Sequence, residues 1–338
     1  MATLNPFATD AFSLVSLSEA MNIIPNSYGK VRSSGLYKAK GVRTRTIMVE
    51  QKNGVLNLLT TMPVGAPGQK LNRGLRNVRS FVIPHIPAED VILPQEYDSI
   101  RAFGKEDTTA ALASIMNDHL ANAKNKFAIT DEYHKMCALK GQVLDADDTV
   151  LFDWYKEFLI QRKEVDFLLG TASTNIGAKC REILRHMETN LHGETMNGVT
   201  CLVDKDFYEA FVNHAIVKTA YERWRDGAAF RDDMRTGFTF SGITFVEYEG
   251  TVDTFAGVAK KFLASKDGVA YPTGTQQTFR TFYAPADFLE TVNTMGKAFY
   301  AKQEPRKFNR GIDLHMQTNP MNMVMRPALC VRAYTSTT

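Results

Sequence analysis

Seven histidines and four cysteines are the residues of this chain best suited to metal, nucleophilic or redox chemistry, and their spacing serves none of these. His85, His119, His134, His186, His192, His214 and His315 are scattered, and no HExxH run puts two imidazoles on one helical face around a metal-bound water. His186 and His192 flank Glu188 at a separation that chance supplies. Cys137, Cys180, Cys201 and Cys330 form no CxxC pair and no dense secreted framework, so they read as buried, reduced thiols. The chain has no GxxxxGK[ST] phosphate loop, no GxGxxG opening a helix and no GxSxG elbow. Asp145, Asp147 and Asp148 alternate as ligands of a hard cation such as calcium would, but the glycine and distal glutamate of an EF-hand are missing. They read as a solvated hairpin tip. No catalytic residue, metal or cofactor is expected, and an enzyme stays only as a distant alternative, because groups far apart in sequence can assemble without a local trace.

The charge distribution is more informative than any motif. Between residues 28 and 88, Lys30, Arg32, Lys38, Lys40, Arg43, Arg45, Lys52, Lys70, Arg73, Arg76 and Arg79 face one acid, Glu50, a net +10. Residues 89–166 carry sixteen acids and nine bases, a net −7. Such segregation gives two complementary surfaces, which neutralise each other within one molecule or head to tail between copies. The basic run also suits contact with phosphates irrespective of base sequence. Aromatic interleaving is thin (Tyr28, Tyr37, Phe81), so a stacking platform for single strands is not expected. No apolar run reaches the roughly 18–20 residues of a membrane helix, and Met1–Pro6 has no basic flank leading into an apolar core, so neither membrane nor signal peptide is expected.

Those charges must be positioned by the elements between them. Residues 1–35 hold scattered apolar positions (Phe7, Phe12, Leu14, Val15, Leu17, Met21, Ile23, Ile24) and read as an arm that needs a surface to lie on. Strands at 45–50 and 55–60 flank Asn53-Gly54, the strongest short hairpin signal. The stretch from Pro63 to Pro87 is an extended two-stranded excursion, its tip near 68–77 and a returning strand at 78–83. Leu112, Ile115, Met116, Leu120, Ala123 and Phe127 predict a helix over 108–140, capped by Asp107 or Thr108, stopped at Gly141 and interrupted near Ile129-Thr130. A hairpin over 141–153 follows, then a helix at 174–189, a buried strand at 199–203, one or two helices over 207–224, two strands turning at Ser241-Gly242, and a last strand over 328–334. The fold class is α+β.

Several runs, in order, resemble the lambda-type major capsid proteins of tailed phages (the capsid protein E family), which share the Hong Kong 97-type capsid fold. They are Gly35-Leu36-Tyr37, Gly41-Val42-Arg43-Thr44-Arg45-Thr46, Asn53-Gly54-Val55-Leu56, Gly65-Ala66-Pro67, Phe81-Val82-Ile83-Pro84-His85-Ile86 and Arg101-Ala102-Phe103-Gly104. The most specific extends from Thr130-Asp131-Glu132-Tyr133 through Ala138 to Asp147, and Phe240 to Tyr248 matches as well. The similarity runs from about Phe12 to Tyr334.

The resemblance implies an N-terminal arm and hairpin over 1–63, an extended loop over 64–88 lying across a neighbour, and a peripheral domain over 89–165 with a spine helix, 108–140, and hairpin, 141–153. It further implies an axial domain over 166–300, a return through the peripheral domain over 301–322 and a C-terminal axial strand over 323–338. The implied function is a head protein that assembles through pentamers and hexamers into an icosahedral shell around double-stranded DNA, in a virion built in the host cytoplasm. Implied partners are further copies of the chain, DNA without sequence specificity, a scaffold, a portal and a decoration protein. Combined with the charge split, it has Lys70, Arg73, Arg76 and Arg79 of the loop, and Asp145, Asp147 and Asp148 of the hairpin tip, meeting neighbouring copies. Lys30, Arg32, Lys38 and Lys40 are candidates to face DNA. The family's covalent cross-linking residues have no counterpart that can be mapped here. A nanocompartment shell of related fold and a nonspecific DNA-binding protein are the alternatives.

Overall fold

The computed structural model describes residues 17, 18, 21, 29–52, 76–96, 108–219, 237–253 and 259–336. They divide into two compact units. The first gathers the described residues of Met1–Ile47, Val82–Tyr133 and Arg280–Asn322; the second gathers those of Met48–Phe81, His134–Phe279 and Met323–Thr338.

The first unit is built on the helix Thr108–Lys140, of which it takes the part up to Tyr133. Ile115, Met116, Leu120, Ala123 and Phe127 recur every three or four residues, so they form one apolar stripe. That stripe packs with Phe299, Ala301, Ile312, Leu314 and Met316 from an antiparallel sheet, whose strands run in the order Tyr300–Pro305, Ile312–Thr318, Ile86–Ile92. Leu17 and Met21 are buried in the same core. The N-terminal segment expected to need a surface therefore finds one, at these residues, on its own chain. Lys38–Gly41 pairs in parallel with the strand that ends at Tyr283.

The second unit is a six-stranded mixed sheet in the order Lys163–Asp166, Val331–Tyr334, Asp267–Thr273, Gly198–Val203, Ile243–Glu247, Phe238–Phe240. Helices Ile176–Asn190 and Lys205–Asn213 supply Ile176, Cys180, Ile183, Met187, Phe207 and Phe211 to its core. Phe211 meets Phe245 at 4.1 Å with the rings tilted by 30°, and Phe167 stands edge-on to Phe207 at 5.5 Å, the perpendicular arrangement that aromatic quadrupoles favour. The strand Val331–Tyr334, nearest the C-terminus, sits inside this sheet between segments more than sixty residues earlier, so the sheet is complete only once the chain returns.

The long helix spans the expected residues but has no break at Ile129-Thr130. The Thr130 hydroxyl donates to the Lys126 carbonyl at 3.0 Å within the helix, and buried Phe127 and Ala128 hold the turn in place. Gly141 ends it in the left-handed region (φ 95°), its N–H donating to the Ala138 carbonyl; a Cβ there would fall on the Tyr155 ring. Next come Gln142–Leu144 and Val150–Asp153, paired around Asp145–Thr149. Ser241 and Gly242 both have positive φ (48° and 84°), as the tight hairpin turn between flanking strands requires.

Other expectations shift. The strand Thr46–Lys52 has Arg76–Val82 as its described partner; the Asn53-Gly54 turn, the strand over 55–60 and the excursion tip lie outside the described residues. Of the one or two helices expected over 207–224, one is described as Lys205–Asn213 and a second at 215–219; residues 220–224 are not described. The final strand starts at Val331, because Pro327–Leu329 forms a 3-10 turn whose proline has no N–H for a ladder.

Candidate functional site

The charges singled out in the sequence divide into those occupied within the chain and those on its surface. Arg79 points to the start of the helix Trp154–Phe158, with Nη1 3.4 Å from Glu157 Oε2. Beside it, Phe81 stands edge-on to Trp154 and Phe152, at 5.6 and 6.3 Å. Arg76 lies on the same strand, and Lys70 and Arg73 are outside the described residues. At the hairpin tip, Asp145 accepts the Ala146 N–H, and Asp147 accepts both the N–H and the hydroxyl of Thr149. These bonds hold the Asp147 carboxyl below the usual carboxylate range. Asp148 pairs with Lys260, whose Nζ also reaches the Asp145 carbonyl at 3.4 Å. Among the described residues, no group of three or more His, Cys, Asp or Glu can hold a metal ion.

Arg32 is turned inward. Its Nη1 lies 3.4 Å from Asp131 Oδ2, and its guanidinium sits 5.7 Å from the centre of the Phe299 ring. Lys30, Lys38 and Lys40 are exposed. The structure thus separates Arg32, an internal strut, from three lysines on the surface.

Around Arg32 lies a polar cluster that sequence reading did not assign. Glu132, almost fully buried, accepts the N–H groups of Val31 and Arg32 at 2.7 and 2.9 Å, so one carboxylate caps the short helix Lys30–Ser33 from a hundred residues away. Asp131 accepts the Asn322 amide at 2.8 Å, and Asn322 in turn accepts the Thr281 hydroxyl at 2.6 Å. Lys124 Nζ donates to the Met21 carbonyl at 2.5 Å and stands 5.2 Å from the Phe299 ring. Burial, and then the nearby Arg32, lower the Lys124 pKa. Burial likewise raises the Tyr283 phenol, with Asp131 adding to the effect. Four separate parts of the chain, at Met21, 31–32, 281–283 and Asn322, are fastened here to about two and a half turns of helix, Lys124 to Glu132. No local sequence signal set Lys124, Asp131 and Glu132 apart, since the same helix also carries Asp118, Lys126 and Lys135.

A second cluster holds the helix to its sheet. His119 places Nδ1 2.7 Å from Asp90 Oδ2 and Nε2 3.0 Å from Glu96 Oε2. Burial works against the imidazolium, but the two carboxylates outweigh it and raise the His119 pKa above the ordinary histidine value. Burial likewise pushes the Asp90 carboxyl up, yet His119 and the Val91 N–H leave it below its ordinary value. Both clusters fasten segments of the chain together.

The model of the family described as "Phage major capsid protein E" matches residues 13–335. A major capsid protein of Pseudomonas phage KPP10 is 28% identical over 344 residues, covering 97% of this chain and 98% of that one. A major capsid protein of Salmonella phage Felix O1 (isolate Felix O1-VT1) is 26% identical over 352 residues, covering 95% of each. Among solved structures, a prophage capsid protein from E. coli CFT073 superposes with a TM-score of 0.58 at 13% identity, over 96% of this chain and 99% of that one. A phage-related protein from Bordetella bronchiseptica RB50 gives 0.51 at 10% identity, over 94% and 95%. At such identities the structures speak for the fold.

Proposed function

The chain belongs to the phage major capsid protein E family, and from that premise we propose that it closes into rings of five and six copies, which tile an icosahedral shell around double-stranded DNA. The carrying observation is the extent of the match: residues 13–335 of 338 align with the family. The role of a family member is structural, in the capsid of the virion, and we assign it no catalytic step.

In this reading the six-stranded unit serves as the axial domain at the ring axes. The unit built on the long helix serves as the peripheral domain. The segment order supports that assignment: the chain leaves the first unit through the long helix, builds the sheet, returns over Arg280–Asn322 and re-enters the sheet with Val331–Tyr334.

Charge complementarity between copies would rest on Lys70, Arg73, Arg76 and Arg79 of the loop and on Asp145, Asp147 and Asp148 of the hairpin tip, of which Arg79, Asp147 and Asp148 also have partners within the chain. Lys38 and Lys40, two exposed residues apart on one strand, are the best-placed contacts for packaged phosphates, with Lys30 beside them in sequence. Arg32 is committed to Asp131. In this reading a scaffold and a portal are the further partners of the assembly.

The test is co-expression of the full chain with the other head proteins of its phage, followed by sedimentation and nuclease digestion. The expected result is closed particles that protect double-stranded DNA. Particles holding protein cargo and no DNA would contradict the DNA part, and a discrete monomer under all conditions would contradict the shell.

A further inference from the structure

His119 has a carboxylate at each ring nitrogen: Nδ1 lies 2.7 Å from Asp90 Oδ2 and Nε2 3.0 Å from Glu96 Oε2. Each carboxylate turns its other oxygen to the backbone. Asp90 Oδ1 accepts the Val91 N–H at 2.9 Å, and Glu96 Oε1 accepts the Leu93 N–H at 3.3 Å. An ionised carboxylate can only accept, so a ring bonded to one at each nitrogen must donate from both. Neutral imidazole has a single N–H and cannot make both bonds. The arrangement is therefore complete only with the imidazolium.

The two carboxylates stand on unlike supports. Asp90 belongs to the strand Ile86–Ile92, which is laddered along its whole length to Ile312–Thr318, with Leu314 opposite Asp90. Glu96 ends one helical turn at 94–96, where its N–H donates to the Leu93 carbonyl at 3.1 Å. His119 itself is fixed by the long helix, whose neighbouring Ile115, Met116 and Leu120 are buried in the core of this unit. When the ring loses a proton, the donor it keeps is the one on the shorter bond, to the carboxylate that the ladder holds. Nε2 then turns a lone pair on Glu96 Oε2, two acceptors with no proton between them. That contact is repulsive, and the turn is the part able to yield.

We propose that His119 is a proton-operated latch: as imidazolium it holds the turn at 94–96 to the long helix, and as neutral imidazole it keeps Asp90 and releases that turn. The latch goes beyond the shell reading and does not rest on it. The charged groups facing it are Asp90 from the strand, Glu96 from the turn and Lys126, on the same helix as His119, which acts on Asp90. Glu89, Asp313 and His315 alternate with Asp90 and the buried Leu314, so they lie on the other face of the sheet. Although burial opposes the charge, the His119 pKa stands above its ordinary value. The latch is thus closed below about pH 6.5 and opens as pH rises through the higher folded value.

The experiment follows amide hydrogen exchange of the full-length chain at about pH 6 and about pH 9, each rate divided by that of an unstructured peptide at the same pH. Peptides covering 93–96 should lose protection by about tenfold or more at the higher pH, the factor that matches a lost bond between charged groups. The strand 86–92 should keep its protection. Unchanged protection at 93–96, or loss across the strand as well, would overturn the proposal. In His119→Gln the turn should exchange at the fast rate at both pH values; the same pH-dependent loss in that variant would assign the effect to another group and overturn it. Nitrogen NMR of histidine-labelled chain, with His119→Gln identifying the resonance, supplies a readout that a merely structural role would not move. His119 should titrate above about pH 6.5 and leave its remaining proton on Nδ1. Titration at or below that value, or a neutral ring protonated on Nε2, would contradict the latch.

Discussion

Around Phe211 the second unit buries aromatic rings against aromatic rings; around Glu132 the first unit buries carboxylates against backbone amides, an asparagine and a guanidinium. The first kind of core is non-directional and forms wherever enough apolar area leaves water. The second requires each partner to arrive, because an unpaired buried carboxylate or amide costs more than the completed bond contributes. The difference teaches where this protein is conditional. Its sheet unit is set by bulk burial, whereas its helical unit depends on segments from both ends of the chain reaching one stretch of helix.

The comparison is broken most severely at its apolar side. Phe211→Ala removes a ring packed against Phe207, Phe238, Phe240 and Phe245 and should cost about 3–5 kcal/mol in denaturant unfolding. On the polar side, Glu132→Ala strands the amides of Val31 and Arg32 and should cost about 2–3 kcal/mol, with faster proteolysis ahead of residue 32. Glu132→Gln keeps an acceptor and should recover part of that loss. If Glu132→Ala left the N-terminal segment as protected as before, the carboxylate would not be its anchor.

The pH dependence sharpens the contrast. The raised His119 pKa means that its bond to Asp90 and Glu96 stabilises the fold fully below about pH 6.5, the ordinary histidine value, and fades as pH rises through the higher folded value. The melting midpoint of His119→Gln should therefore fall furthest below wild type in mild acid, and the gap should close in mild alkali. A gap independent of pH would mean that the imidazolium contributes nothing. The smallest effect belongs to the hairpin tip. Lys260→Ala breaks an ion pair with the largely exposed Asp148 and should cost less than about 1 kcal/mol, a loss that salt further reduces.

How much of this was readable in the sequence follows the same division. The helix Thr108–Lys140, its glycine stop, the hairpin after it and the Ser241-Gly242 turn all rest on local spacing and local backbone preference, and the residues announce them. The partner of Thr46–Lys52 is set by a strand that begins at Arg76, and the place of Val331–Tyr334 by strands far earlier, so no window of sequence contains the information. Long-range ion pairs are hidden for the same reason. Arg79, Arg32 and Asp148 look like spare surface charge until the fold brings Glu157, Asp131 and Lys260 to them. What the fold adds to the site reading is a partner within the chain for Arg79, Arg32 and Asp148.

The most direct test of the account is a residue-resolution electron cryomicroscopy reconstruction of assembled particles of this chain. It should show rings of five and six copies with the six-stranded sheet unit gathered at the ring axes and the long-helix unit outside it. Rings with the long-helix unit at the axes, or particles with no such rings, would contradict it.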